Sequence, residues 1–409
     1  MAAIVVCLVL GGSAEALAAQ RYASPTGTGS TCSSGNPCSI VTAFTGQGLG
    51  DEIIIAPGDY GSVSQNLFVQ MNSYAHGVHG QPPPRIHMAP GRYMATGINS
   101  RLSYARIDGD NQVLQVSENG GADQLSVHAS AGNACIVYGT LIDSVCWTST
   151  AGDDAISGAT GNTITPVLRN VTAEATGSGG TGIEYHTAAG GHLTVTVVNS
   201  IVHGAGTDIV IQAFLPNTVD VNIDHSNFVT GIPTGDGAAI NPTASQSPAP
   251  QFVNAAAGDF SEAPGSPTIN AGVTAAANGP VDVLGISRVI SGATDIGAYE
   301  FDPFTGVLIA NRKSKVRKGK ATVTVGCQAD APPPCAGTLT LSYGRGHKAA
   351  GSAPFSIPAG ATQTLKVKIS NKALRKLDAK GKLATQASAA ATDGAGTSKA
   401  SSANVKLKG

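Results

Sequence analysis

Lysine is missing from the first 311 of the 409 residues. Over that stretch seven arginines stand against 23 aspartates and glutamates, a net charge of −16. An acidic face of this kind, with no phosphate-cradling glycine loop opening a helix, excludes nucleotide or nucleic-acid binding there. Charge of either sign is scarce: 12 % of residues against the roughly 25 % usual in globular domains. Aromatic residues make up 5 %, with a single tryptophan. Long helices rich in Glu, Lys and Leu are thereby excluded. After the first ten residues no apolar run is long enough to span a membrane.

What is abundant is glycine, 52 residues, set among Asn, Asp, Ser, Val, Ile and Thr. That mixture favours short strands separated by turns. The last 98 residues reverse the charge, with 14 Lys, 4 Arg and 3 Asp giving +15. The reversal predicts a linker over 303–311 and a separate basic domain over 312–409. Its lysines either coat the solvent face of ordinary strands or form an electrostatic tether to an anionic glycan or cell-wall polymer.

The N-terminal "MAAIVVCLVLGGSAEALAAQ" holds the apolar run Ile4–Leu10, then small residues at Ala14, Ala16 and Ala18. It reads as a signal peptide over 1–19 cleaved near Ala18–Gln20, although the usual basic start is missing. The chain is then expected to be exported, secreted or held at the cell surface. Six cysteines remain after cleavage, in three close pairs: Cys32/Cys38, Cys135/Cys146 and Cys327/Cys335. No pair is C-x-x-C and no histidine stands at ligand spacing, so local disulfides are expected in place of zinc.

Internal repeats set the fold. "IIIAPGDY" at 53–60 returns as "IHMAPGRY" at 86–93, 33 residues on. "GDDAI", "GGTGI" and "AGTDI" place Ile156, Ile183 and Ile209 at steps of 27 and 26. A third register sets Leu141, Leu168, Val197 and Ile223 in one position and Cys146, Ala173, Val202 and Phe228 in another. Units this short cannot bury their own apolar face and leave no room for a crossover helix. They predict an all-β chain: a parallel β-helix solenoid over 20–302, with an irregular connection over 232–264. Strand signals at 8–15-residue spacing after Asp302 predict a small β-sandwich, with a helical turn at "NKALRKLDAKG".

The opening "RYASPTGTGSTCSSGNPCSIVTAFTGQGLGDEIIIAPGDYG" resembles the first coil of secreted right-handed parallel β-helix proteins of the pectate-lyase-like superfamily. "GSPTINAG…VDVLGISR…TDIGAYEF" resembles the closing module of such surface proteins, the choice-of-anchor type, here over 252–302. Asn270 departs from it, since that module more often has Asp. The tail resembles bacterial Ig-like domains. The superfamily implies a solenoid whose exposed face meets polysaccharide, in some members as a lyase or hydrolase.

Asp153 and Asp154 in "AGDDAIS", with His192 in "GGH", match the Gly-Asp-Asp and Gly-His elements of pectin-hydrolysing members and are the candidate catalytic set. No Arg-x-Lys follows, and His192 lies more than one coil away. A lyase would need a carboxylate-bound Ca²⁺ and a basic residue for the C5 proton. Arg85, Arg92, Arg101, Arg106 and Arg169 are the basic candidates, and the Asp108-Gly-Asp110-Asn111 turn could bind Ca²⁺ or be a plain Asx turn. His76, His79 and His87 lie in a proline-broken loop; His186, His192, His203 and His225 share no repeat position. No cofactor and no metal site is therefore expected, Ca²⁺ aside.

Arg288 stands alone as a cation between Arg169 and Arg312. It is expected to pair with Asp295, Glu300 or Asp282, with Ile296, Ala298 and Tyr299 forming a strand that caps the solenoid's open end. The expected protein is a monomeric, exported surface or matrix β-helix, non-catalytic and carbohydrate-interacting. The alternative is a lyase or glycosidase acting on acidic polysaccharide.

Overall fold

The computed structural model describes residues 18–187 and 190–409, so the expected signal peptide lies outside the described residues except for its last two. The chain is all-β, and two long parallel sheets wind together as a parallel β-helix. Leu141, Leu168, Val197 and Ile223 pair in one column. Ile156, Ile183 and Ile209 pair in a second. Cys146, Ala173 and Val202 pair in a third. All point into one shared core that runs from Ala23 to Ile223.

The Ala-Pro-Gly repeat is a different matter. Glu52–Ile55 stacks on Gln20–Ala23 and Tyr74–Gly77, whereas Arg85–Met88 stacks on Asp59–Val63 and Arg101–Gly109. The two copies lie on different faces of the coil, so their spacing is not a coil period. Coils also vary in length: Gly121 pairs with Arg101 and with Thr140, steps of 20 and 19. Nor is 232–264 irregular throughout. Gly231–Thr234 and Ala238–Thr243 add strands to both sheets, and Asn227 still bridges to Gln246.

One backbone device shapes the coils. Arg101–Gly109, Gly121–Ala129, Thr140–Thr148 and Val167–Ala175 are each nine residues long. In each, the fourth residue is left-handed: Tyr104, Gln124, Asp143 and Asn170, with φ from 47° to 54°. Asn199 and His225 continue the series. A single left-handed residue turns the strand's course without ending its ladder, so the bends stack into a ridge. Left-handed geometry is uncommon for non-glycine residues, and Asn and Asp tolerate it best.

The last coil is uncovered. Gly231–Thr234 is exposed along its length, and Ile232 is 50 % exposed. The expectation that Ile296–Tyr299 caps this end fails. After Gln246 the chain runs back along the solenoid's flank, forming a hairpin of Phe252–Asn254 with Asp259–Glu262. Phe260, Val283, Ala298 and Tyr299 then pack on Val145 of the coil, and Trp147 flanks them. The segment around 296–299 is not a strand. Its backbone is tied to the coil flank, with the Gly297 amide donating to the Asn199 carbonyl at 2.7 Å and the Ala298 amide to Thr172 Oγ1 at 3.0 Å, partners that an apolar coil end would lack.

Two antiparallel-dominated sheets with their own core follow. Lys320–Gly326 pairs with Thr362–Lys368, and Cys335–Tyr343 sits between Lys348–Ile357 and Lys382–Thr392. Val323, Leu339, Leu365, Ala389 and Val405 fill the space between the sheets. Asn371–Lys380 is the expected helix, ended by Gly381 in the left-handed conformation at φ 61°. The expected linker is partly core: Phe304, Val307 and Ile309 are buried there, because three apolar side chains in nine residues find a sheet edge to cover.

All three cysteine pairs are disulfides: Cys32–Cys38, Cys135–Cys146 and Cys327–Cys335. Cys135–Cys146 links two inward columns of the solenoid. Cys38 does more than close a local loop. It forms a parallel bridge to Ala23, its amide donates to the Tyr22 carbonyl at 3.0 Å, and its carbonyl accepts from the Ser24 amide at 3.1 Å. Cys32 and Cys38 are both wholly buried in the solenoid core, so this disulfide fastens the excursion 24–38 onto the first strand.

Candidate functional site

The strand Asp154–Thr160 pairs with Thr181–Thr187, and alternate side chains leave the coil on its outer face. There Gln112, Gln115, Asn133, Asp154, Ser157, Glu184 and His186 line an open groove of about 430 Å³, with Tyr138 along one side. Asn133 organises it. Its Nδ2 donates to Asp154 Oδ2 and Ser157 Oγ, both at 2.9 Å, while its Oδ1 accepts from the Asp154 amide at 2.8 Å. The Tyr138 hydroxyl donates to the Ala159 carbonyl at 3.1 Å.

Asp154 lies within hydrogen-bonding reach of Glu184 on the next coil. Burial, and then the Glu184 charge, push the Asp154 carboxyl up to about 7. Asp154 is therefore part-protonated near neutral pH, with Glu184 beside it. Two-carboxylate glycoside hydrolysis sets its carboxyls about 5–5.5 Å apart for retention and 6.5–9.5 Å for inversion, with the acid and the base on opposite sides of the scissile bond. Among the described residues no arginine or lysine lines the groove. A lyase base would have to come from elsewhere.

The expected catalytic set is not assembled. Asp153 turns away from Asp154 and accepts the Gly132 amide at 2.8 Å, fastening one turn to the turn below. His192 lies on the other sheet, where its Nδ1 meets Thr218 Oγ1 at 3.0 Å. The Gly-His element fell on a strand start, so the sequence match carried no geometry. Glu184 was missed, although the Ile156/Ile183 register already placed it beside Ser157 on the neighbouring coil.

Among the described residues Arg92 and Arg106 make no ion pair, and most of the other candidates are occupied. Both Asp110 oxygens accept the Gly91 amide, and Oδ1 also accepts the Asn111 amide. Asp108 pairs with Arg85 at 2.7 Å. This is the Asx-turn reading of that segment. Arg101 pairs with Asp123 at 2.5 Å, and Arg169 donates to Asn278 at 3.0 Å. His76 bonds Glu52 at 3.0 Å, and His79 lies against Tyr104 with ring centres 4.6 Å apart. Among the described residues no three His, Cys, Asp or Glu side chains converge as a metal site.

Histidines do share one repeat position, though not the four compared by sequence. His87, Asp108, His128, Trp147, Glu174 and His203 occupy one outward column. His128 stacks on Trp147 with ring centres 3.8 Å apart, and Phe260 meets Trp147 edge-on. Glu174, buried near Asp208 and Glu262, is pushed up to about 8, first by burial and then by their charges.

Arg288 is wholly buried, and its shortest ion pair is to Asp143, at 2.5 Å. Glu300 lies at 3.8 Å, and the Gly297 and Ala298 carbonyls accept from the guanidinium at 3.1 and 3.0 Å. The other carboxylates hold backbone. Asp282 accepts the Leu284, Ile286 and Glu300 amides. Asp295 accepts the Asn270 and Phe301 amides, and Glu300 the Ile290 and Asp295 amides. On the coil side Gln124 donates to the Asp282 carbonyl, Asn170 to the Asn278 carbonyl and Asn199 to the Val273 carbonyl. Asp295 and Glu300, expected partners of Arg288, act here chiefly as ties between loops.

No protein-family model matches the chain, and no curated protein matches its sequence. Among solved structures, the crystal structure of pectate lyase Pel9A aligns at a TM-score of 0.41 and 13 % identity, covering 69 % of this chain and 96 % of that one.

Proposed function

We propose that this is an exported surface or matrix protein whose β-helix binds carbohydrate through the Asn133–Asp154–Glu184 groove without cleaving it. One observation carries the reading: the groove is lined by amide, hydroxyl, carboxyl and imidazole groups, yet among the described residues no arginine or lysine lines it. Side chains fixed to each other on stacked strands suit the hydroxyls of a glycan chain, since each donor and acceptor is held before the ligand arrives. Three disulfides fit an oxidising compartment.

The test is calorimetric titration with neutral and acidic oligosaccharides, alongside an assay for unsaturated or new reducing ends with and without Ca²⁺. Binding without product, weakened about tenfold by Asn133→Ala or Glu184→Ala, is the expected result, on the order of one lost charged hydrogen bond. An acidic ligand should bind less well as pH rises through about 7, where Asp154 loses its proton. Product formation abolished by Asp154→Ala would overturn the reading in favour of the hydrolase. Product abolished by coil arginine substitutions would favour the lyase.

A further inference from the structure

The basic unit carries a charge pattern that its own folding does not call for. Lys313–Lys315 pairs in parallel with Ser398–Lys408, and that strand pairs antiparallel with Lys382–Thr392. The registers set Lys313 opposite Lys406, Lys315 opposite Lys408, and Lys408 opposite Lys382. All five lysines are exposed, whereas the intervening Ser314, Val405 and Leu407 point into the core. They form a lattice on one face, with spacings of about 4.8 Å across strands and about 6.6 Å along them.

Like charges directly opposite on neighbouring strands work against sheet pairing. Among the described residues none of these lysines has an acidic partner; no ion pair involves any residue of 312–409. That unit has three aspartates and no glutamate to supply one. Three self-repelling pairs on one exposed face are what a multivalent anion would relieve.

We propose that this lysine lattice is the docking surface for a linear acidic polysaccharide, a polymer of carboxylated sugars. Charge complementarity selects a polyanion, and a polymer matches an extended lattice better than a single anion does. The five lysines themselves are point charges without the planar fork that reads base edges; Arg312 and Tyr343 line a pocket beside Lys406, and the comparison with duplex DNA below decides against nucleic acid. The site is separate from the groove and does not depend on it.

The experiment measures binding of full-length protein to polygalacturonate at about 25, 150 and 500 mM NaCl. Binding at low salt that weakens roughly tenfold or more across this range is expected, because exposed charges are screened. The variant K313Q/K315Q/K382Q/K406Q/K408Q should lose at least tenfold at low salt. A control, K348Q/K372Q/K376Q/K380Q/K399Q, removes as many charges from the same unit and should lose less than threefold. Thermal melting shows whether each variant folds; relief of the lysine pairs should leave the lattice variant at least as stable.

Absence of binding at low salt overturns the proposal, as does an equal loss in both variants, which would mean net charge alone. Equally tight binding of duplex DNA or inorganic polyphosphate would also overturn the choice of an acidic polysaccharide. The five-lysine lattice variant should leave binding of a neutral oligosaccharide to the groove unchanged, so failure here and failure of the groove are told apart.

Discussion

Replacing Arg288 by alanine should destabilise the solenoid by about 3–5 kcal/mol, the range for removing one partner of a buried ion pair. The midpoint of its thermal transition should fall by roughly 10 °C. Asp143 would lose its 2.5 Å partner inside the protein, and the Gly297 and Ala298 carbonyls would lose their donor. Glu300, pushed up to about 9 by burial and by Asp295, would lose the cation that opposes those effects. The loss is therefore larger than that of one hydrogen bond.

Arg288→Lys keeps the charge but cannot reach two carbonyls and a carboxylate with one planar fork, so it should recover only part of the loss. Arg288→Met combined with Asp143→Leu removes both charges and should be more stable than Arg288→Ala. Calorimetry of the four proteins checks this. A midpoint unchanged in Arg288→Ala would show that the closing segment is held by its apolar contacts alone.

The reasons this pair escaped the sequence are physical. Its members are 145 residues apart, and no local pattern marks Asp143. The bend ridge shows the same difficulty in another form. Tyr104, Gln124, Asp143, Asn170, Asn199 and His225 share one conformation but few chemical features, because the backbone, not the side chain, is what repeats. By contrast, Ile156, Ile183 and Ile209 repeat because a buried column accepts a narrow range of shapes. Registers built on such columns were legible and carried the fold. Coils of 19 and 20 residues were not, since no single period spans them and the later steps of 26–29. The pairing of Cys32 with Cys38 was legible from spacing, whereas the bridge from Cys38 back to Ala23 was not, because no local pattern marks it. The groove was half legible: Asp154 was named for a motif, while its partner Glu184 could be reached only by reading the register across coils.

The second large effect expected is a loss of stability with rising pH. Burial raises the carboxyls of Glu174 to about 8, Glu262 and Asp154 to about 7, Asp143 and Asp295 to about 6, and Glu300 to about 9. Asp282 moves in the same direction. Each of these groups holds its proton more tightly in the folded chain than in the unfolded one. Between the unfolded value near 4 and the folded value, the native state therefore binds more protons. Its stability then falls as pH rises. The slope should be negative from about pH 5 to about pH 9 and flatten beyond. Glu52 is shifted the other way, chiefly by its hydrogen bond to His76, but it is only partly buried and acts only below its ordinary value. At about 1.4 kcal/mol per pKa unit, Glu174 alone accounts for a few kcal/mol of the decline. Self-repulsion within a stretch of net charge −16 adds to it. Thermal denaturation at pH 5, 7 and 9 should give steadily falling midpoints, and Glu174→Gln should flatten the fall, because an amide keeps the neutral form at every pH. Midpoints that rise from pH 5 to 9 would mean that these carboxyls are ionised and paired in solution, and the segment around Arg288 would then owe its hold on the coil to charge instead of to protonated carboxyls and backbone amides.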